Sequence, residues 1–217
     1  MMMCWLKQFG ATLLFIVTSL ALAISGILFA SPSIYRMAIG WFNLTDISGL
    51  TEGQLMENYK VLMEYLIQPT VKELNMLHFS SSEGGLQHFE EVKFLFMMTF
   101  MIALVGFILS VWIVMWLRKT KQQVWMGRWF WVAIIFPLVL LFIMVVAFDR
   151  VFLMFHQILF HNDLWLFNPM TDPIITVLPE GLFMIFFVGA LLLYELFIYL
   201  MRFAVMYENR PKRRTRR

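Results

Sequence analysis

The sequence predicts an all-α integral membrane protein with four transmembrane helices, an extracellular surface subdomain and both termini in the cytoplasm. Its 217 residues are 61% hydrophobic and only 14% charged, which leaves too little polar surface to cover a soluble domain. A helix that crosses the hydrocarbon core of a bilayer needs about 20 mostly apolar residues. Four stretches of the chain satisfy this requirement, at about 9–29, 94–117, 129–148 and 182–201.

Basic residues are concentrated on one side of the predicted membrane. Short cytoplasmic loops carry an excess of Lys and Arg, and here these residues precede the first span, fill the loop between the second and third spans, and dominate the tail 202–217. The segments at about 30–93 and 149–181 are richer in Asp and Glu. We therefore interpret residues 1–217 as one membrane domain with two extracellular segments. The expected partner of the tail is anionic lipid, and no nucleic-acid partner is expected.

The first extracellular segment contains an amphipathic helix. Thr51 and Gln54 are spaced as a capping box, and Pro69 limits the helix at its other end. Apolar residues follow one another at helical spacing, at Leu55, Tyr59, Leu62 and Leu66. We expect this helix to pack its apolar face on lipid or on the other helices; a role in gating the substrate is the alternative.

The second extracellular segment begins with the residues "FDRVFLMFHQILFHNDLW". One face of a helix would carry Phe148, Phe152, Phe155 and Leu159, so the pattern predicts that the third helix continues past Asp149. Further along, Asp172 is followed directly by Pro173. This pair predicts an N-cap and a proline at the first helical position, on the approach to the fourth span.

The chain has four histidines, and all of them fall in the two extracellular segments, at His78, His88, His156 and His161. Histidine is the side chain that accepts and donates a proton near neutral pH. A zinc site built from His156, His161 and Asp163 is disfavoured, because a spacing of five does not stack two ligands on one face of a helix. No metal and no other cofactor is expected.

The sequence offers few residues for nucleophilic catalysis or for transport. Cys4 precedes the first span, and there is no Gly-x-Ser-x-Gly motif to present a nucleophilic serine. A transporter would place polar groups near the middle of the membrane, where Glu195 is the only candidate, and we interpret it as structural. The residues favour histidine acid-base catalysis on a substrate that supplies its own nucleophile. A non-catalytic binding or assembly protein and a small transporter remain the alternatives.

Two segments of the chain carry a resemblance to a known family. "SSSEGGLQHFEEVK" (80–93) and "FHQILFHNDLWLFNPMTDPIITVLPEGLF" (155–183) resemble the signature segments of the bacterial lipoprotein intramolecular transacylase (Lit) family. The order of the four spans and the long first outer segment also agree, so the resemblance covers essentially the whole chain. The matching positions are Glu83, His88, Val92 and Lys93 in the first segment, and Phe155, His156, Phe160, Asn162, Trp165, Phe167, Asp172, Pro179 and Glu180 in the second.

The resemblance implies an acyltransferase of the bacterial cytoplasmic membrane, usually in Gram-positive bacteria, with its active site on the extracellular face. Such an enzyme moves the sn-2 acyl chain of a diacylglyceryl-cysteine lipoprotein onto the α-amino group of the same cysteine, which gives a lyso-form lipoprotein. Its expected partners are diacylated lipoproteins and membrane phospholipid, and a monomer is expected. The family histidines map to His88 and His156, one as general base and the other as proton donor, with no covalent acyl-enzyme; the resemblance does not assign the two roles.

Five further residues are candidates for substrate binding or for support of the histidines. Glu83 and Asp172 could orient an imidazole or hold the substrate ammonium, or else cap helix ends. Arg150 could bind carbonyl groups of the substrate, or pair with acidic neighbours. Asn162 could donate to the oxyanion or cap a helix, and Trp165 could contact substrate or lie in the interfacial aromatic belt.

Overall fold

The protein is all-helical over the residues that the structure, a computed structural model, describes: 2–120 and 127–207, with side chains described from Gln8 to Thr120 and from Trp129 to Tyr207. The basic loop residues 121–126 and the tail residues 208–217, on which the predicted orientation partly depends, lie outside the described residues. The helices are α1 (Met2–Trp41), α2 (Leu44–Ser48), α3 (Glu52–Ile67), α4 (Glu83–Thr120), α5 (Gly127–Val146), α6 (Phe148–Leu159), a 3₁₀ helix (Pro173–Val177) and α7 (Glu180–Met206).

Within the described residues, α1, α4, α5 and α7 are the four helices long and apolar enough to cross a membrane. This confirms the prediction of four spanning helices. Three of the helices are longer than the predicted spans, because α1 runs on to Trp41, α4 begins at Glu83 and α7 ends only at Met206, whereas α5 has the predicted length. Both ends of the first predicted extracellular segment are therefore continuations of spanning helices.

Helix α1 packs against both α4 and α7 and forms the centre of the bundle. Glycines permit the close approach: a Cβ atom on Gly106 would lie 2.4 Å from Thr18 Oγ1, and one on Gly189 would lie 2.8 Å from Ile27 Cδ1. Inside a bilayer the hydrophobic effect does not drive helices together, so small residues that let backbones meet are a main source of association. Close packing at these glycines therefore brings α4 and α7 against α1.

The extension of α1 beyond residue 29 depends on a local compensation at Pro32. Proline has no N–H group, so the carbonyl of Leu28 loses its usual helical donor. Ser31 Oγ donates to that same oxygen at 2.8 Å, and the helix continues. The extension carries Tyr35, whose ring stacks on the ring of Tyr59 with 3.9 Å between centroids. This contact fixes α3 across the end of the bundle.

The predicted capping box at the start of α3 is confirmed. Thr51 Oγ1 accepts from the Gln54 backbone N–H, and the Thr51 N–H donates to Gln54 Oε1 at 2.9 Å. The apolar face of α3 joins a buried cluster that includes Ala38 of α1, Phe89 of α4 and Leu182 of α7. This face therefore packs on the other helices, which was one of the two expected outcomes.

The prediction that the third helix continues past Asp149 is wrong. Helix α5 ends at Val146, and Ala147 leaves the helical conformation with φ −142° and ψ 48°. A new helix, α6, begins at Phe148, which is buried with its ring edge-on to Phe187 of α7 at 5.8 Å. Ala147 therefore separates α6 from α5, and the buried ring of Phe148 packs the start of α6 against α7.

Candidate active site

The candidate site lies where the first turn of α4 meets the chain before the 3₁₀ helix. Ser82 is the residue before α4, and its Oγ accepts from the Gly85 N–H at 3.0 Å, as an N-cap does. The Ser82 N–H donates to Asp172 Oδ1 at 2.7 Å, and Thr171 Oγ1 donates to Asp172 Oδ2 at 2.7 Å. The buried Asp172 carboxylate therefore lies at the positive end of α4.

The role of Asp172 differs in part from the expectation. Pro173 is the first residue of the 3₁₀ helix, as predicted, but the Asp172 side chain makes no capping hydrogen bond to that helix and turns to α4 instead. Burial by itself would raise the pKa of Asp172, but the hydrogen bonds from Ser82 and Thr171 outweigh burial and hold this pKa below its usual range. The ionised Asp172 carboxylate therefore connects the start of α4 to the chain before the 3₁₀ helix.

Close approach of Asp172 requires a glycine at position 85. A Cβ atom added to Gly85 would lie 2.2 Å from Asp172 Oδ1, closer than any real contact allows. The carboxylate occupies the space where a side chain would be. The start of α4, and the orientation of every residue in its next turn, therefore depends on this glycine.

His88 lies on α4, less than one turn after Gly85, and is only 6% exposed. Its ring is enclosed by two aromatic edges, Phe160 at 4.6 Å and Phe167 at 5.5 Å between centroids. Nδ1 of His88 is buried and has no hydrogen-bond partner among the described residues. Leaving a buried polar atom unpaired costs free energy, so this nitrogen is suited to a group supplied from outside the protein.

His156 lies on α6 and is held by its own helix. Its Nδ1 is 2.8 Å from the carbonyl oxygen of Phe152. Because a carbonyl oxygen only accepts, the Nδ1 atom carries the proton, and in the neutral ring Nε2 keeps a free lone pair. The ring of Trp165 stacks on the imidazole at 4.8 Å between centroids. His156 is therefore fixed in one tautomer with its proton-accepting nitrogen available.

The protonation of His156 follows from its surroundings. Burial lowers the pKa of His156 below its usual value of 6.5, although the hydrogen bond to the Phe152 carbonyl opposes this change. Burial disfavours the charged imidazolium, because the apolar rings around it cannot replace its hydration. His156 is consequently a neutral proton acceptor at neutral pH.

The two histidines of the predicted pair lie together. Their ring centroids are 6.2 Å apart, with the planes inclined by 35°. They come from different helices and are separated by 68 positions in the sequence, so only the folded chain brings them together. A pair of imidazoles at this distance can contact one reacting group from two sides.

Asn162 and Trp165 lie beside this pair, but Asn162 is committed to protein contacts. Its Nδ2 donates to Glu91 Oε1 at 2.9 Å, and its Oδ1 accepts from the Leu164 N–H at 3.1 Å. The main-chain oxygen of Asn162 accepts from Trp165 Nε1 at 2.9 Å. Asn162 therefore shapes the loop after α6, and Trp165 is a wall of the His156 site.

The remaining candidates lie at the edge of the site. Glu83 is the first residue of α4 and is exposed, and Arg150 is exposed in the first turn of α6. Neither belongs to the cluster of rings around His88 and His156. Sequence reasoning missed Glu91 as a neighbour of the site, although its spacing of three from His88 puts both residues on one face of a helix.

The chain as a whole is similar to a known family of membrane enzymes. A family model described as lipoprotein intramolecular transacylase Lit matches residues 9–183. The chain belongs to the Lit family. It is accordingly a multi-pass membrane enzyme, an acyltransferase of the lipoprotein intramolecular transacylase class. No curated protein matches the chain in a sequence comparison.

Solved structures of a Lit protein resemble most of the chain. The in meso structure of the membrane-integral Lit from Bacillus cereus is 27% identical and superposes with a TM-score of 0.84, covering 94% of this chain and 95% of that chain. Two structures of the same protein, one with a histidine-to-arginine and one with a histidine-to-alanine mutation, are 28% identical with TM-scores of 0.74. They cover 94% of this chain, and 91% and 93% of their own.

Proposed function

We propose that this enzyme moves the sn-2 acyl chain of a diacylglyceryl-cysteine lipoprotein onto the α-amino group of the same cysteine, which gives an N-acyl, S-monoacylglyceryl lyso-form lipoprotein. The observation that carries the proposal is the pair of imidazoles, His88 and His156, at 6.2 Å in an enzyme of the Lit family. The chain acts as a monomer in the cytoplasmic membrane of a Gram-positive bacterium.

His156 is the general base in this proposal. Its proton lies on Nδ1, and Nε2 is free to take a proton from the substrate nitrogen. The α-ammonium of a cysteine has a pKa near 8, so it gives up its first proton, to His88, before the nitrogen attacks. The free amine then adds to the carbonyl carbon of the sn-2 ester, and His156 takes the second proton as the nitrogen–carbon bond forms.

His88 completes the reaction as the donor. When the tetrahedral centre collapses, the bond between the acyl carbon and the glyceryl oxygen breaks, and that oxygen needs a proton. His88 donates the proton that it took from the ammonium, and His156 releases its own proton to water, so the neutral lipopeptide exchanges an ester for an amide and an alcohol with no change of mass. The buried, unpaired Nδ1 of His88 supports a contact with substrate at this ring.

The substrate supplies the nucleophile and the ester together. Holding two groups of one molecule in the right geometry replaces a bimolecular encounter, which is a large part of the catalytic advantage. No enzyme serine or cysteine is needed, and no acyl-enzyme forms. The aromatic walls Phe160, Phe167 and Trp165 surround the two histidines and suit the lipid part of the substrate.

The site faces the outside of the cell in this proposal, and both termini face the cytoplasm. Arg118, at the opposite end of α4 from His88, bonds to the carbonyl of Ala204 near the end of α7. It marks the basic end of the bundle, which the positive-inside tendency assigns to the cytoplasm. Mature lipoproteins are anchored on the outer surface of that membrane, where the substrate would meet His88 and His156.

Mass spectrometry of a reporter lipoprotein tests the reaction directly. In cells that produce this protein, we expect the N-terminal lipopeptide to keep its mass while fragmentation locates one acyl chain on the cysteine nitrogen instead of the glyceryl oxygen. Cells without the protein provide the control. An unchanged lipopeptide in cells that produce the protein well would contradict the proposed function.

The titration of His156 tests its assignment as base. Since burial lowers its pKa, we expect the ring to be neutral at pH 6.5 and to take up a proton only at lower pH. Proton uptake by the unfolded chain, whose histidine has the ordinary pKa, then lowers the stability of the folded protein as the pH falls below 6.5. NMR of ring-labelled histidine measures the midpoint, with a His156→Gln variant to assign the resonance. A midpoint at or above 6.5 would refute the neutral base.

A further inference from the structure

Glu91 lies on α4 one turn after His88, and one of its carboxylate oxygens is bonded to the loop that follows α6. The Glu91 Oε1 atom accepts from Asn162 Nδ2 at 2.9 Å. A carboxylate only accepts, and the other amide atom of Asn162 accepts from a backbone N–H, so the orientation of the amide is determined by both contacts. This bond joins the helix that carries His88 to the segment that follows His156.

The connection continues from Asn162 to His156. The main-chain oxygen of Asn162 accepts from Trp165 Nε1 at 2.9 Å, and the Trp165 ring stacks on the His156 imidazole with 4.8 Å between centroids. Each step is a direct contact. The orientation of the Trp165 ring, and hence one wall of His156, therefore depends on where Asn162 is held.

One hydrogen bond holds the Glu91 carboxylate in this position. A charged acceptor makes a stronger hydrogen bond than a neutral one, and burying a carboxylate is costly unless its oxygens are bonded. The second oxygen of Glu91, Oε2, is buried without a hydrogen-bond partner among the described residues. The single bond to Asn162 is thus the contact that holds the side chain in this orientation.

We propose that Glu91 is a positioning residue for the transacylation: through Asn162 and Trp165 it holds the His156 imidazole in position relative to the His88 imidazole. This inference rests on the proposed function, since it assumes that the two histidines act on one substrate. It does not make Glu91 a group that touches the substrate. A displacement of about 1 Å at a reacting group can reduce a rate about 10²-fold, so loss of this connection should act on kcat.

The test compares two replacements of Glu91 in the purified full-length protein, with a synthetic diacylglyceryl-cysteine lipopeptide as substrate. Glu91→Ala removes the acceptor, and we expect kcat to fall by about 10- to 100-fold with KM little changed. Glu91→Gln keeps an amide oxygen at the Oε1 position, and we expect it to keep most of the activity. Glu90→Gln changes the exposed neighbouring carboxylate and serves as the matched control.

A double-mutant cycle identifies the route of the effect. Trp165→Phe removes the N–H that bonds Asn162 but keeps an aromatic ring. If Glu91 acts through Asn162 and Trp165, the double variant with Glu91→Ala should lose less than the product of the two single losses. Asn162→Asp removes the amide donor to Glu91 and keeps the oxygen that accepts from the Leu164 N–H. This variant is used in place of Glu91→Ala if Glu91→Ala does not fold.

Three results would overturn the role of Glu91. These are full activity of Glu91→Ala, a loss in Glu91→Gln as large as in Glu91→Ala, and strictly multiplicative losses in the cycle. The second would mean that the charge matters and the hydrogen bond does not. A wild-type protein that leaves the lipopeptide unchanged is a different result, because it contradicts the proposed function itself.

Discussion

Replacement of His156 by alanine is expected to reduce the transacylation rate by about 10²–10⁴-fold, the usual contribution of acid-base catalysis. The variant loses the only nitrogen that the proposal assigns to proton removal from the amine. It should remain folded, because among the described residues the imidazole makes one hydrogen bond, to its own helix at Phe152, and is otherwise held by ring contacts. The rate with a lipopeptide substrate and the thermal unfolding temperature measure the two effects separately.

The transacylation rate of His88→Ala is expected to fall by a similar factor. The rate of the double variant should be little lower than that of either single variant. Residues that act as one unit in a reaction give losses that do not add. His161→Ala is the matched control, because His161 is a neighbouring but exposed histidine. Normal activity in either single variant, or equal inactivation of the His161 variant, would contradict the two-histidine site.

The second large effect is expected from Gly85→Ala. Replacing glycine by alanine inside a helix normally stabilises it by about 0.5–1 kcal/mol. Here the new methyl group would lie 2.2 Å from Asp172 Oδ1, and overpacking of this kind typically costs about 1–3 kcal/mol. The clash outweighs the gain, so we expect a lower unfolding temperature. The start of α4 must also shift, so the activity that depends on His88 should fall.

Gly84→Ala provides the control at the adjacent position. Its Cβ atom would meet Leu164 Cδ2 at 3.3 Å, the end of a flexible side chain that can move by the few tenths of an ångström required. We expect this variant to unfold within a few degrees of the wild type and to remain active. If Gly85→Ala is as stable and as active as Gly84→Ala, the contact with Asp172 does not control the start of α4.

The sequence alone predicts those features that depend on local residues. Four long apolar stretches predict four spanning helices because the bilayer requires that length and composition. The capping box at Thr51 is predictable because both of its hydrogen bonds lie within four residues. The histidine pair was reachable only through the resemblance to a family, since nothing local relates His88 to His156.

The features that sequence reasoning missed depend on contacts between distant parts of the chain. The break at Ala147 adjoins the contact of Phe148 with Phe187 of α7, which is distant in sequence, and the helical pattern of residues 148–159 is the same with or without that break. Asp172 precedes a proline as an N-cap would, yet its carboxylate is drawn to the N–H of Ser82, ninety positions away. The spacing from His88 is the only sequence signal for Glu91, and its contact with Asn162 is seen only in the folded chain.

The junction between Asp172 and α4 should be insensitive to ionic strength. Dissolved salt screens charges at the surface within about 10 Å at 0.1 M, but it affects buried groups much less. The described ion pairs, Arg36 with Glu52 and Lys60 with Glu64, are both exposed. Asp172, by contrast, is neutralised inside the protein by N–H and O–H dipoles. The candidate site built on this junction should keep its geometry as the salt concentration changes.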